Sequence, residues 1–191
     1  MTEFFNMLAA SFDLPLLDWI QANIQCTFLD TTMPVVTHMG SAGFLAAFAV
    51  FMMLLKNYRK TGFSVALSLV FGLVICNLIL KPGVARIRPY DYQEQMGIMI
   101  NLLIEKQHDF SFPSGHTIAT FEAATAIFLN HKKMGTVALI LASIIAFSRL
   151  YLYIHYPTDV FTSIVLGAAL AVLANWVVGK VLTAIEAKKA K

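Results

Sequence analysis

Three clusters of chemically capable residues stand at the edges of apolar runs in this sequence. The first, KPGVARIRPY, carries Lys81, Arg86 and Arg88; the second, FPSGHT, carries Ser114 and His116; the third, FSRLYLYIHYPTD, carries Arg149, His155 and Asp159. Each alone has a plain reading. Basic side chains snorkel at helix ends, a Ser-Gly pair caps a helix start, and Arg149 can pair with Asp159 across a loop. Together they supply parts for a single chemistry. Fixed cations and a helix N-terminus hold a phosphoryl group and neutralise its equatorial oxygens. Asp159, four residues beyond His155, can accept a bond from one ring nitrogen and leave the other free to attack phosphorus. A second histidine, His116, then protonates the leaving oxygen. This is phosphoryl transfer without a metal: the same face offers no carboxylate cluster for a two-metal site, and no cofactor is expected.

Local residue types place these groups at element ends. Pro82, Gly83 and Pro89 keep the helix before Lys81 from simply continuing. Pro113 suits a helix start, Ser114 can cap its first turn, and Gly115 lets a ligand approach the backbone. Asp159 falls in a first helical turn, where the helix dipole favours a carboxylate.

The elements that must position them are membrane helices. The chain has 191 residues, one domain's worth, of which 58% are hydrophobic and 13% charged, against about 25% charged in soluble domains. Five segments are apolar enough to span: 38–55, 62–80, 114–130 interrupted by Glu122, 134–153 interrupted by Arg149, and 160–179. In residues 1–36, Glu3, Asp13, Asp18 and Asp30 interrupt the apolar pattern too often for a span. Apolar residues there recur at helical spacing, which predicts interfacial helices; a sixth span is the runner-up. The segment does not read as a cleaved signal peptide. The expected architecture is an all-α polytopic bundle, with residues 1–36 interfacial, 37–185 forming the membrane domain, and 186–191 a basic cytoplasmic tail.

Nine basic residues, Lys56, Arg59, Lys60, Lys132, Lys133, Lys180, Lys188, Lys189 and Lys191, fall on one face of this topology, which should be cytoplasmic. Lys81, Arg86, Arg88, Lys106 and Arg149 fall on the opposite face, where topology alone disfavours them. No basic, aromatic-interleaved patch points to nucleic acid. Cys26 and Cys76 read as packing residues, Asn77 and Asn175 as interhelical hydrogen-bond partners, and Glu122, two turns below His116, as structural support for the site.

The motifs K-x6-R-P (Lys81, Arg88, Pro89), PSGH (Pro113 to His116) and S-R-x5-H-x3-D (Ser148, Arg149, His155, Asp159) resemble the type 2 phosphatidic acid phosphatase superfamily, whose catalytic core is shared with vanadium haloperoxidases. Eleven specified positions occur in order without departure. The resemblance implies that His155 is the nucleophile that forms a phosphohistidine, that Asp159 orients it, and that His116 is the acid and then the base. It implies a phosphate cradle of Lys81, Arg88, Ser114, Gly115 and Arg149, with Ser148 in a supporting place and Arg86 either supporting or only snorkelling. The expected activity is hydrolysis of a membrane lipid phosphate at the outer face of a bacterial inner membrane. Undecaprenyl diphosphate is the first choice of substrate, with phosphatidylglycerol phosphate and phosphatidic acid next. A lipid phosphotransferase and a non-enzymatic binder of anionic lipid are the rivals. Oligomeric state is not legible.

Overall fold

A computed structural model describes residues 2–189, with side chains from Phe4 onward. Every regular element among the described residues is helical. In order these are α1 (Thr2–Leu8), a π-helical turn (Ala9–Asp13), α2 (Leu14–Asn23), α3 (Thr27–His38), α4 (Ala42–Leu54), a 3-10 turn (Lys56–Tyr58) and α5 (Arg59–Gly72). A π segment (Leu73–Leu80), α6 (Lys81–Val84), α7 (Pro89–Gln95), α8 (Gly115–Asn130), α9 (Lys132–Tyr151) and α10 (Pro157–Lys189) follow.

Three helical runs are long and apolar enough to cross a membrane: Lys56–Gln95, α9 and α10. A fourth crossing is formed if α3 and α4, bent by 56° at their junction, are one broken span. This is an integral membrane protein. The expected span 38–55 therefore covers only the second limb of the bent pair. The expected span 114–130 is α8, whose 16 residues reach about 24 Å, short of the roughly 30 Å hydrocarbon core.

α8 is the centre of the bundle. It packs against α4, α5, α9 and α10, and ten of its residues are buried. Small side chains let the neighbours approach: Ala119, Ala123 and Ala126 meet Ala49, Val65 and Ala171, while Ala124 meets Ala142 and Ala146. At Gly167 of α10 a Cβ would lie 2.7 Å from the Ile118 carbonyl oxygen, so only glycine permits that crossing. Apolar residues on the outer faces, among them Phe44, Leu54, Ile140, Phe161 and Val165, are exposed, as a lipid-facing surface requires. Asn175 behaves as expected, accepting from Asn130 at 2.8 Å and from Ser64 at 3.2 Å, and so ties α10 to α8 and α5.

The N-terminal segment is part of the core. Ala9, Leu14, Leu17, Ile20 and Met33 share a buried cluster with Tyr90 and with Tyr151 to Ile154 and Tyr156. Three of the acidic residues that break its apolar pattern each meet a specific partner, while the side chain of Glu3 lies outside the described residues. Asp13 pairs with Arg86 at 2.6 Å, Asp18 accepts from the Tyr153 hydroxyl at 2.6 Å, and Asp30 accepts from the Tyr151 hydroxyl at 2.6 Å. Position 36, the expected domain boundary, falls inside α3. At the other end α10 runs on to Lys189, because EAKK is good helix-forming sequence; residues 190 and 191 of the expected tail lie outside the described residues.

Candidate active site

The helix ends carry the motif residues to one place. Lys81 opens α6 where the π segment ends, Arg88 is the residue before Pro89 of α7, and Arg149 lies in the last turn of α9. Gly115 and His116 open α8, and His155 sits in the turn between α9 and α10. Lys81, Arg88, Gly115, His116, Arg149 and His155 all line one cavity of about 210 Å³. No backbone segment supplies more than two of them, so tertiary packing alone makes the cluster.

Four of the five basic residues expected on the outer face have carboxylate partners. Lys81 pairs with Asp109; Arg88 pairs with Asp109 at 2.5 Å; Arg86 pairs with Asp13 and with Asp159 at 2.5 Å; Lys106 pairs with Glu94 at 2.6 Å. Arg149 differs. Its side chain donates to the Thr37 hydroxyl at 2.6 Å, and its buried Nε has no partner among the described residues. A guanidinium held at 2% exposure beside a cavity, with an unused donor, is arranged for an anion.

His155 is 1% exposed. Its Nε2 lies 3.3 Å from Arg88, while Nδ1 lies 3.5 Å from the Ser111 hydroxyl and 3.6 Å from Asp159. Burial, reinforced by the charges of Arg88, Arg149 and Lys81, pushes the imidazole well below its ordinary range, so it is neutral near pH 7. Asp159 is held by more than the histidine: it accepts from Ser111 Oγ at 2.5 Å, from Arg86 at 2.5 Å and from the Tyr156 N–H at 3.1 Å. Arg88 further donates to the Ile154 carbonyl at 2.8 Å, which fixes the turn carrying His155. Burial works to raise the Asp109 carboxyl, but the Lys81 hydrogen bond and the Arg88 and Lys81 charges outweigh it and hold the group well below the usual carboxylate range.

Some expected residues stand elsewhere. Ser114 occupies the N-cap position of α8, but its hydroxyl pairs with Thr117 Oγ1 at 2.9 Å instead of capping a backbone N–H, and its own N–H donates to Ser163 at 2.8 Å. Ser163 on the neighbouring helix thus satisfies the N–H of the N-cap residue itself, and no side chain caps the first turn of α8 from the N-cap position. Pro113 precedes that cap and follows Phe112 through a cis peptide bond. Gly115 faces open space, with only Asn77 Oδ1 within 4 Å of where a Cβ would stand. Ser148 turns back onto the Ile145 carbonyl at 2.6 Å and Asp159 is fully buried, so neither lines the cavity. Asn77 faces the cavity and, among the described residues, bridges no helix. Glu122 also lines the cavity, packed against Gly72, with Oε1 unpartnered among the described residues.

Ser111, Asp109 and Asp13 are the site residues that sequence reasoning missed. Ser111 and Asp109 lie in the loop just before PSGH and are the nearest polar residues preceding it. Asp13 is one of the acidic interruptions in the N-terminal apolar pattern, which was a signal of use.

An all-helical membrane protein with cations and two histidines around a cavity at the helix ends is the class that fold and site define. Residues 61–182 match the PAP2 superfamily model, and the chain belongs to that superfamily. It is 43% identical over 81 residues to the bacitracin transport permease protein BcrC of Bacillus licheniformis, a match covering 42% of this chain and 40% of that one. It is 29% identical over 124 residues to an undecaprenyl-diphosphatase of Sulfolobus acidocaldarius, covering 64% and 58%. It is 33% identical over 165 residues to phosphatidylglycerophosphatase B of Bacillus subtilis, covering 80% and 76%. The chain thus spans only about half the length of the first two relatives.

Proposed function

We propose that this protein is a lipid phosphatase that hydrolyses the phosphate or diphosphate of a membrane amphiphile through a phosphohistidine intermediate. The observation that carries this is the convergence of Lys81, Arg88 and Arg149, from three separate elements, on one cavity with His116 and His155. The cations and the free N–H groups at Gly115 hold the phosphoryl oxygens; Ser114 contributes through its place at the helix start, its hydroxyl being engaged with Thr117. With Asp159 and Ser111 on the Nδ1 side, the proton sits on Nδ1 and the Nε2 lone pair attacks phosphorus. The P–O bond to the leaving group breaks, and His116 gives that oxygen its proton. His116 then takes a proton from water, whose oxygen attacks the phosphohistidine, releasing inorganic phosphate and restoring neutral His155. Burial supports the nucleophile's part, because a neutral imidazole is nucleophilic; burial and the charges of Arg149, Lys81 and Arg88 disfavour the acid form of His116 in the empty site, so its proton depends on the negative charge of the bound phosphoryl group.

The substrate of first choice is undecaprenyl diphosphate, in keeping with the few loops of the chain and the activity named for the Sulfolobus relative. The longest of the three matches, to a phosphatidylglycerophosphatase, favours phosphatidylglycerol phosphate as the second reading. The site faces the outer surface of a bacterial inner membrane in this reading, with the C-terminus in the cytoplasm. Residues 37–185 serve as the catalytic domain, and residues 1–36 lie along the interface as its support.

A phosphate-release panel over polyprenyl and glycerolipid phosphates, with purified protein, tests the proposal. Release without a second lipid, and in the presence of chelator, is expected. Release that needs an acceptor lipid would make the protein a phosphotransferase; release abolished by chelator would overturn the metal-free mechanism; no release from any lipid would leave an anionic-lipid binder.

A further inference from the structure

Asp109 lies outside the motifs yet occupies the cradle. Its carboxylate pairs with both Lys81 and Arg88, and its backbone carbonyl accepts Arg88 Nε–H at 2.9 Å. The chain is anchored on either side of it. The Tyr90 hydroxyl accepts from the Gln107 N–H at 3.0 Å and donates to the Gln107 carbonyl at 2.9 Å, while the Ser111 N–H donates to the Arg86 carbonyl at 2.8 Å. His108, Asp109 and Phe110 therefore form a short tongue that holds one carboxylate at high local concentration beside two cations. The Asp109 side chain is 54% exposed, so it can swing from the cradle into water. Arg149 is not reached by it, and keeps a buried donor without a partner. A phosphoryl group brings a third oxygen for Arg149, and needs Lys81 and Arg88 released from Asp109.

We propose that Asp109 is a resident competitor for the phosphate cradle, evicted by the incoming phosphoryl group and returning to the cations as inorganic phosphate leaves. The inference rests on the reading of the site as a phosphatase. A cavity ringed by three cations binds substrate and product phosphate alike, and such uniform binding fills the site without hastening the chemistry. A carboxylate that must be displaced weakens both by one factor, the reciprocal of the fraction of molecules with an open cradle. It also spares the emptied site a set of unpaired buried cations.

The test is Asp109→Asn in the full chain purified in detergent, with Asp109→Ala as a second variant; the half-exposed side chain leaves no core cavity on removal. KM for farnesyl diphosphate and Ki for inorganic phosphate should both fall by a common factor, on the order of tenfold. Phosphate-induced thermal stabilisation, which needs no turnover, should appear at correspondingly lower phosphate concentration. If KM and Ki rise, Asp109 orients the cations instead of competing for them, and the proposal is wrong. It is equally wrong if neither constant moves, or if only one does. Lack of turnover by the unaltered protein would defeat the phosphatase reading, while the thermal measurement would still decide whether Asp109 competes with phosphate.

Discussion

Arg86→Ala would strand two buried carboxylates. Arg86 joins Asp13 at 2.6 Å and Asp159 at 2.5 Å, with side chains 4%, 0% and 0% exposed. It also stacks over the Tyr156 ring at 3.7 Å. Removing one partner of a buried ion pair costs about 3–5 kcal/mol. Asp13 keeps the Thr158 N–H and hydroxyl, and Asp159 keeps Ser111 and the Tyr156 N–H, so the lower end, about 3 kcal/mol, is expected. At roughly 2–4 °C per kcal/mol for a chain of this size, the melting temperature falls by roughly 6–12 °C. Arg86 does not line the cavity, so the variant should lose kcat by on the order of tenfold, through a loosened Asp159, with KM nearly unchanged. Adding Asp13→Asn removes one stranded charge, and the double variant should be less destabilised than the two single losses summed. Scanning fluorimetry in detergent and phosphate release read both effects. Arg86→Ala within about 1 kcal/mol of the parent, with full kcat, would show a snorkelling side chain and refute the reasoning.

Four further outcomes are expected. Because His155 is held below its ordinary range by burial and by neighbouring cations, the neutral, active form persists on acidification, and the acid limb of kcat/KM for this group should fall below about 6.5. For the same group the unfolded chain binds the proton first, so its contribution to stability is lost as pH drops below that unfolded value, measurable as a falling melting temperature. Gly72→Ala would place a Cβ 2.6 Å from both Glu122 carboxylate oxygens; it should destabilise by about 1–3 kcal/mol, and Glu122→Ala in the same chain should restore most of the loss. Thr37→Val removes the hydroxyl that accepts from Arg149 at 2.6 Å and should raise KM about tenfold, the loss of one charged hydrogen bond that positions the cradle.

The motif residues were legible because chemistry restricts them to few residue types and the three motifs fix their spacing, and Lys81, Arg88, His116, Arg149 and His155 do line one cavity. The helix starts at Pro89 and just after Pro113 were legible from those prolines, whereas Pro82 and Gly83 do not stop the helix: it runs through them to Val84 and ends at Ala85, which has a left-handed backbone. Long-range partners were not. Ser111 and Asp13 are ordinary polar residues until packing places them against Asp159 and Arg86, separated from them by 48 and 73 positions in the chain. Hydropathy described α9 and α10 well, since both face lipid along much of their length. It described the α3 and α4 pair poorly, because Asp30, four threonines and His38 make α3 too polar to read as part of a span, and the bend of 56° that joins it to the apolar α4 is set by packing. The acidic residues at 13, 18 and 30 argued against a span, while their actual use, anchoring the N-terminal helices to Arg86, Tyr153 and Tyr151, depends on tertiary structure.

The most direct test of the central claim is to quench the protein in alkali during turnover of a lipid phosphate and map the phosphorylated peptide by mass spectrometry. A phosphoryl group on His155, stable to base, lost in acid and absent from His155→Ala, is the predicted result. Undiminished phosphate release by His155→Ala, or a phosphoryl group on any other residue, would contradict it.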